Sequence, residues 1–279
     1  KEGLNMIHEI IRLSGEDGSC AKLVSYVPDN FEEIDLERTR PTVLICPGGG
    51  YMMCSEREGE PVALMLAAHG FNAFVLYYRT GEGCGPKPQE DIAHAMAYLR
   101  EHAEQYHIRR NGIAVMGFSA GGHLACSLGV FWHRQAFCDQ FGVIPEQVRP
   151  NAMVLCYPVI TAGEYAHRGS FCAYTGSEDL EKHQAYSLEK LVDEHTPPAF
   201  LWHTMNDSIV PVENTLLLSR ALSDNKIPAE VHIYPDGMHG LSLANHETTH
   251  PGEEYERLFM KPYCQNWIHH AIAWLKQAL

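Results

Sequence analysis

The sequence predicts an α/β domain with a mostly parallel central sheet and helices on both faces. Three observations carry this. Residues 42–46, 73–78, 113–116, 152–157 and 199–204 are continuous apolar runs, without the alternation of a half-exposed strand. Segments of helical character separate them, so the order is β-α-β-α. No linker, repeat or low-complexity stretch divides the 279 residues, which points to a single domain over 1–279.

In chain order, residues 4–13 and 21–27 read as two strands joined by the turn Gly15-Glu16-Asp17-Gly18. Residues 29–41 are a polar loop, and Pro41 leads into the first buried strand, which ends in Pro47-Gly48-Gly49-Gly50-Tyr51. Residues 60–69 are expected to be helical, with Gly70 as the stop. After the strand at 73–78 and a flexible loop at 81–85, residues 88–106 form an amphipathic helix with Ile92, Ala95, Met96 and Leu99 on one face. A strand at 113–116 and a helix from Gly122 follow. Residues 133–150 read as a polar connection. Residues 161–196, after the strand at 152–157, are expected to be an insertion over the sheet, a possible lid. The strand at 199–204, a helix at 212–222, a last strand at 230–234 and a closing helix at 263–279 complete the chain.

The formal net charge of -14 argues against nucleic acid and anionic membrane surfaces as partners. No apolar run is long enough to span a bilayer, and residues 1–10 lack a signal-peptide pattern. The nine cysteines form no C-x-x-C pair, so they read as reduced thiols of a cytoplasmic protein, with Cys54, Cys84 and Cys172 in loops. The 17 histidines include no H-E-x-x-H or similar ligand set, so no metal is expected. A homodimer is compatible with the sequence.

Gly117-Phe118-Ser119-Ala120-Gly121 stands between an apolar strand and a helix. A strand that turns directly into a helix holds its central residue in a strained conformation, with the hydroxyl exposed at the helix's positive end. Ser119 is therefore a candidate nucleophile. The bland alternative is a tight glycine-rich turn. Two further loops after strands carry Asp207 and His239, and the chain order Ser, Asp, His matches the fold that uses such an elbow. A serine hydroxyl is a poor nucleophile near neutral pH. His239 would take its proton, and Asp207 would fix the histidine tautomer. Activity should then fall on acidification, because a protonated ring cannot act as base. Asp236 shares the histidine's loop, Asp179 and Asp193 lie in the insertion, and His203 and His232 sit within strands, so each is a weaker assignment. The backbone N–H groups of Gly49, Gly50 and Ala120 are candidate oxyanion donors. A phosphate loop is the rival for the glycine turn, but no Gly-Lys-Ser/Thr follows it. Tyr51 and Tyr78, with Trp202, are candidates to line a substrate pocket, although aromatic residues at strand ends also serve as core.

Cys46-Pro-Gly-Gly-Gly-Tyr51, Tyr78-Arg79, Gly117-Phe-Ser-Ala-Gly-Gly-His-Leu-Ala125, Asp207 with Val210-Pro211, and His239-Gly240 together resemble the α/β-hydrolase superfamily. Within it they are similar to the carboxylesterases related to hormone-sensitive lipase and to the acetyl xylan and feruloyl esterases. The resemblance runs from about residue 42 onward. It implies a serine carboxylesterase, free of cofactor, that cleaves short acyl esters of a small-molecule partner, above all an acetylated sugar such as a xylo-oligosaccharide. Where the family often has histidine before the glycines, this chain has Pro47. Nothing matches the long N-terminal cap of the lipase-like branch, which implies an open site. The same triad also suits a small amidase such as an arylformamidase, or a peptidase. A non-catalytic binder of this fold commonly lacks a triad member, and none is missing here.

Overall fold

A computed structural model describes residues 6–15 and 18–279. Its strands are β1 (Ile10–Ser14), β2 (Cys20–Tyr26), β3 (Arg40–Cys46), β4 (Asn72–Tyr77), β5 (Ile108–Phe118), β6 (Ala152–Cys156), β7 (Ala199–Thr204) and β8 (Ala229–Tyr234). Its helices are α1 (Glu60–Ala68), α2 (Lys87–Glu101), α3 (Ala120–Phe131), α4 (Gln135–Phe141), α5 (Pro145–Val148), α6 (Arg168–Thr175), α7 (Leu180–Gln184), α8 (Glu213–Asp224), α9 (Glu253–Phe259) and α10 (Trp267–Ala278). The strands form one eight-stranded sheet in the order β1-β2-β4-β3-β5-β6-β7-β8. β2 runs antiparallel to both its neighbours, and the other pairings are parallel. This is the α/β-hydrolase arrangement.

Central strands such as β6 and β7 are buried at every position. Their side chains feed two apolar layers, one on each face. One layer holds Leu44, Phe74, Met96 and Leu124. The other holds Ile45, Phe118, Trp202 and Trp267. Register brings the carboxyl ends of the parallel strands level. Cys46 pairs with Gly117, Phe118 with Cys156, Cys156 with Trp202, and Thr204 with Tyr234. The loops that leave these ends therefore crowd one edge of the sheet, where sites of such folds collect.

Several sequence expectations need correcting. Residues 4–5 of the expected first strand, and Glu16 and Asp17 of the expected turn, lie outside the described residues. Among the described ones β1 starts at Ile10, preceded by an isolated bridge from Ile7 to Val27. The expected polar connection at 133–150 contains α4 and α5. Phe137, Cys138 and Phe141 bury one side of α4, and Gly142 closes it at φ 63°. β5 begins at Ile108, because exposed Arg109 to Asn111 precede the buried part of the strand across a register shift. α9 stands where no helix was expected. The insertion at 161–196 is helical and packed down: Phe171 joins Val159, Ala162 and Val210 in a small apolar cluster. The N–H groups of Gly83 and Gly85 donate to the Ala173 and Tyr174 carbonyls. Among the described residues no helix is long and apolar enough to cross a membrane.

Candidate active site

Ser119 sits between β5 and α3 at φ 53°, ψ -119°. A side chain other than glycine is costly there, on the order of 1–3 kcal/mol, so the surroundings must enforce it. They do so by close approach. A Cβ on Gly117 would lie 2.8 Å from Ala125 Cβ, and one on Gly121 would lie 2.7 Å from the Pro47 carbonyl carbon. The Ser119 N–H donates to the Cys156 carbonyl at 3.0 Å, and its carbonyl accepts from His123 and Val159.

The structure brings Ser119, Asp207 and His239 into hydrogen-bond contact. Ser119 Oγ lies 2.7 Å from His239 Nε2, and His239 Nδ1 lies 2.6 Å from Asp207 Oδ2. A carboxylate only accepts, so Nδ1 carries the proton and Nε2 is left free to accept from the serine hydroxyl. Asp207 Oδ1 accepts from the N–H groups of Ile209 and Val210, both at 2.9 Å. Burial alone would raise the Asp207 carboxyl. Hydrogen bonds from His203 and His239 overrule it and hold the group well below the usual carboxylate range.

Above the serine, Gly49 and Gly50 turn at φ 126° and 64°. The Gly49 carbonyl accepts from Met52 and Met53. Among the described residues no protein acceptor is found for the N–H groups of Gly49, Gly50 or Ala120. The first turn of α3 adds its dipole on the same side. An acyl carbonyl and a serine nucleophile fit this set.

A family model for BD-FAE matches residues 29–222. The chain belongs to the BD-FAE family. It is thus an α/β-hydrolase of the esterase and lipase branch. It is 40% identical over 233 residues to endo-1,4-beta-xylanase B of Butyrivibrio fibrisolvens, covering 80% of this chain and 36% of that protein. It is 31% identical over 238 residues to an acetylxylan esterase of Xylanibacter ruminicola, covering 83% and 46% respectively. The chain therefore spans about a third to a half of the length of these curated relatives. Among solved structures, an acetyl ester-xyloside bifunctional hydrolase from Caldicellulosiruptor lactoaceticus is similar at TM-score 0.82 and 33% identity, over 99% of this chain and 98% of that one. A carboxylesterase from Lactobacillus plantarum is similar at TM-score 0.86 and 26% identity, over 98% of each chain.

In this BD-FAE member Tyr51 and Tyr78 do not line a pocket as expected. They are only 2% and 3% exposed, and their hydroxyls are engaged inside the protein. The Tyr78 hydroxyl donates to the Pro47 carbonyl at 2.7 Å. That of Tyr51 lies 2.8 Å from His123 Nδ1. The Tyr186 carbonyl beside His123 Nε2 only accepts, so Nδ1 is the acceptor for Tyr51. Burial keeps His123 neutral, pushing it down to about 4 against the pull of Tyr186. Both tyrosines thus brace the glycine loop from behind. Trp202 is core, stacked on Trp267 with ring centres 5.0 Å apart. Of the weaker acids, Asp236 turns to Lys261, Asn206 and Tyr263, which lower it to about 2. Asp179 caps α7, and Asp193 pairs with His133 and Arg134.

Three further residues belong to the site's surroundings: His203, which the sequence offered only as a weaker histidine, and His167 and Glu58, which it did not single out. His203 Nε2 lies 2.9 Å from the Val210 carbonyl and 3.3 Å from Asp207 Oδ2, so it is a second donor to the acid. His167, before α6, is half-buried with Nδ1 2.8 Å from Ser170 Oγ. Burial pushes it down, as does the charge His239 can carry, while Asp207 pulls the other way. Glu58, in the short turn Glu56–Glu58, accepts the Gly48 N–H. Among the described residues, one group of metal-ligating side chains lies close together: Glu230, His232 and His270. Glu230 and His232 already pair at 2.8 Å, at the end of β8 opposite the His239 loop.

Proposed function

We propose that the protein is a serine carboxylesterase that removes short acyl groups, acetyl above all, from carbohydrate alcohols such as xylo-oligosaccharides. The observation that carries the reading is the unbroken contact from Ser119 Oγ through His239 to Asp207, at 2.7 and 2.6 Å, beside three N–H groups with no acceptor among the described residues. Ser119 Oγ adds to the acyl carbon while its proton passes to His239 Nε2. The carbonyl oxygen takes the negative charge and is held by the Gly49, Gly50 and Ala120 N–H groups. As the tetrahedral intermediate collapses, the bond to the alcohol oxygen breaks and His239 returns the proton to it. Water gives a proton to His239 as its oxygen adds to the acyl carbon; the bond to Ser119 Oγ then breaks, His239 returns the proton to that oxygen, and the carboxylic acid leaves.

The sugar part of the proposal rests on the named activities of the xylanase, acetylxylan esterase and xyloside-hydrolase relatives.

The test is hydrolysis of p-nitrophenyl acetate, butyrate and octanoate, followed by acetate release from acetylated xylo-oligosaccharides, with Ser119→Ala as control. Preference for acetate, a dead variant and release from the sugar are expected. Cleavage of the simple esters without release from the sugar would remove the carbohydrate assignment and turn attention to formamide and aryl-ester substrates.

A further inference from the structure

Glu58 is 3% exposed, and its carboxylate meets no cation in a salt bridge among the described residues. Its chain neighbour Arg57 turns away, donating to the Thr248 carbonyl and lying over the Phe259 ring. A buried carboxylate is expensive unless its lone pairs are used, and an apolar side chain would fill the same space at less cost. The position of Glu58 therefore calls for a reason beyond packing.

Both oxygens are used, each by a different wall of the site. Oε2 accepts the Gly48 N–H at 2.7 Å, and Oε1 accepts the Tyr157 hydroxyl at 2.7 Å. Gly48 opens the glycine loop. A Cβ there would lie 2.8 Å from Glu58 Oε2 and 3.0 Å from Ser119 Cβ, so this backbone is sandwiched between the carboxylate and the nucleophile. Tyr157 follows β6 at the strained φ of 37°. Its hydroxyl accepts the Ser242 N–H at 2.9 Å, and its ring packs edge-on against His239 with centres 5.1 Å apart. Ser242, three residues after His239, donates its own hydroxyl to the Arg57 carbonyl at 2.6 Å. The turn at 56–58 thus grips the glycine loop on one side and the histidine loop on the other.

We propose that Glu58 is a positioning residue of this hydrolase: its buried carboxylate ties the oxyanion loop to the histidine loop, and its negative charge supports the imidazolium formed at His239. The proposal rests on the serine-esterase reading above. Proton inventory requires the ionised form. The Gly48 N–H can only donate, and Tyr157, already accepting from Ser242, has its proton to give. A neutral acid would leave one hydroxyl hydrogen without an acceptor. Burial pushes the Glu58 carboxyl up, while the bonds from Tyr157 and Gly48 and the nearby His239 draw it back. The ionisable groups facing His239 are Asp207, Glu58, His167 and Tyr157, with His203 sharing Asp207. Glu58 also faces Arg57, Cys54, Cys156 and Tyr78. Asp207 and Glu58 are the two of these that bring negative charge to the ring.

Two variants separate the parts of the proposal. Glu58→Gln keeps the shape, removes the charge and, having one oxygen, accepts from only one of Gly48 and Tyr157, so the pH profile and not kcat alone reads the charge. Its kcat on p-nitrophenyl acetate should fall with little change in KM, and the acid limb of kcat/KM should move to lower pH, because the imidazolium loses a stabilising neighbour. Tyr157→Phe keeps the charge and cuts the tie to Ser242. Its kcat should fall roughly tenfold, the worth of one hydrogen bond to a charged acceptor, with the acid limb in place. A folded Glu58→Gln whose acid limb stays put overturns the charge role, and a Tyr157→Phe with wild-type kcat overturns the tie. Should Glu58→Gln fail to fold, Tyr157→Phe alone decides the tie. His239 ring signals in an NMR pH titration of wild type and Glu58→Gln give the charge answer without turnover. If wild type cleaves no ester and a fluorophosphonate leaves Ser119 unlabelled, the esterase reading fails, and the titration still reports on Glu58.

Discussion

Gly49→Ala puts the proposed oxyanion loop to its sharpest test, because it leaves every side chain of the triad untouched. Gly49 stands at φ 126°, a conformation that costs other residues on the order of 1–3 kcal/mol. A Cβ there would point into the Met53 carbonyl, 2.8 Å from its carbon, where ordinary contact begins at 3.4 Å. The loop must therefore give by about 0.6 Å or more, and misplacement on the order of 1 Å in a reacting geometry costs about a hundredfold. Loss of one oxyanion donor costs a comparable 100- to 1,000-fold, or about 3–4 kcal/mol of transition-state stabilisation. Gly50→Ala is the internal control. Its φ is 64°, which L residues tolerate better, and the nearest atom to a new Cβ is Ser170 Oγ at 3.9 Å. The assay is kcat/KM on p-nitrophenyl acetate, with thermal unfolding alongside and the affinity of a tetrahedral boronate inhibitor as a second readout. Gly49→Ala should lose about two orders of magnitude in rate and a similar factor in boronate affinity, and Gly50→Ala much less. A Gly49→Ala protein that unfolds earlier yet keeps kcat/KM within threefold would refute the reasoning, since the strain would then be absorbed away from any oxyanion.

Asp207→Asn should lower kcat by roughly 10,000-fold, because the amide can hold the wrong histidine tautomer; a loss under tenfold in steady-state assays would contradict the triad. The Asp207 carboxyl is held low in the fold, so its contribution to stability is fully present above the ordinary carboxylate value of about 3.9 and is lost as pH falls below it. Urea unfolding at pH 7 and pH 3 should accordingly show a smaller acid loss in Asp207→Asn than in wild type, and equal losses would mean the carboxylate is not preferentially stabilised. Phe171→Ala removes the ring that anchors the insertion in its small cluster, at a cost of roughly 3–5 kcal/mol. It should expose residues 161–196 to limited proteolysis before the rest of the chain; unchanged cleavage would show that the segment is held by its backbone bonds instead.

Much of the fold was legible because its signals are local. Continuous apolar runs mark strands covered on both faces, and the small residues around Ser119 mark an elbow whether or not partners are known. The order of Ser119, Asp207 and His239 along the chain, each after a strand, was enough to bring them to one sheet edge. What stayed hidden depends on contacts that join distant segments. Glu58 sits among Glu56, Arg57 and Glu60 and reads as one more surface acid; only the fold turns it beneath Gly48. His203 sits in a strand buried at every position, so its polar duty toward Asp207 leaves no pattern in the sequence to reveal it. Tyr51 and Tyr78 were misread because an aromatic residue beside a glycine loop looks the same from sequence whether it faces substrate or supports the loop. α4 left a fainter trace, in Phe137 and Phe141 one turn apart before Gly142, which the charged flanks obscured.

Ser119 and His239 belong to opposite halves of the chain, and the histidine follows β8, the outermost parallel strand. On the proposed mechanism, a molecule in which β8 has not docked holds Ser119 without its base. On that mechanism, detachment of that one edge parts His239 from Ser119 and silences the site. Turnover of a chromogenic ester would then report on the docking of that edge strand as well as on the chemistry.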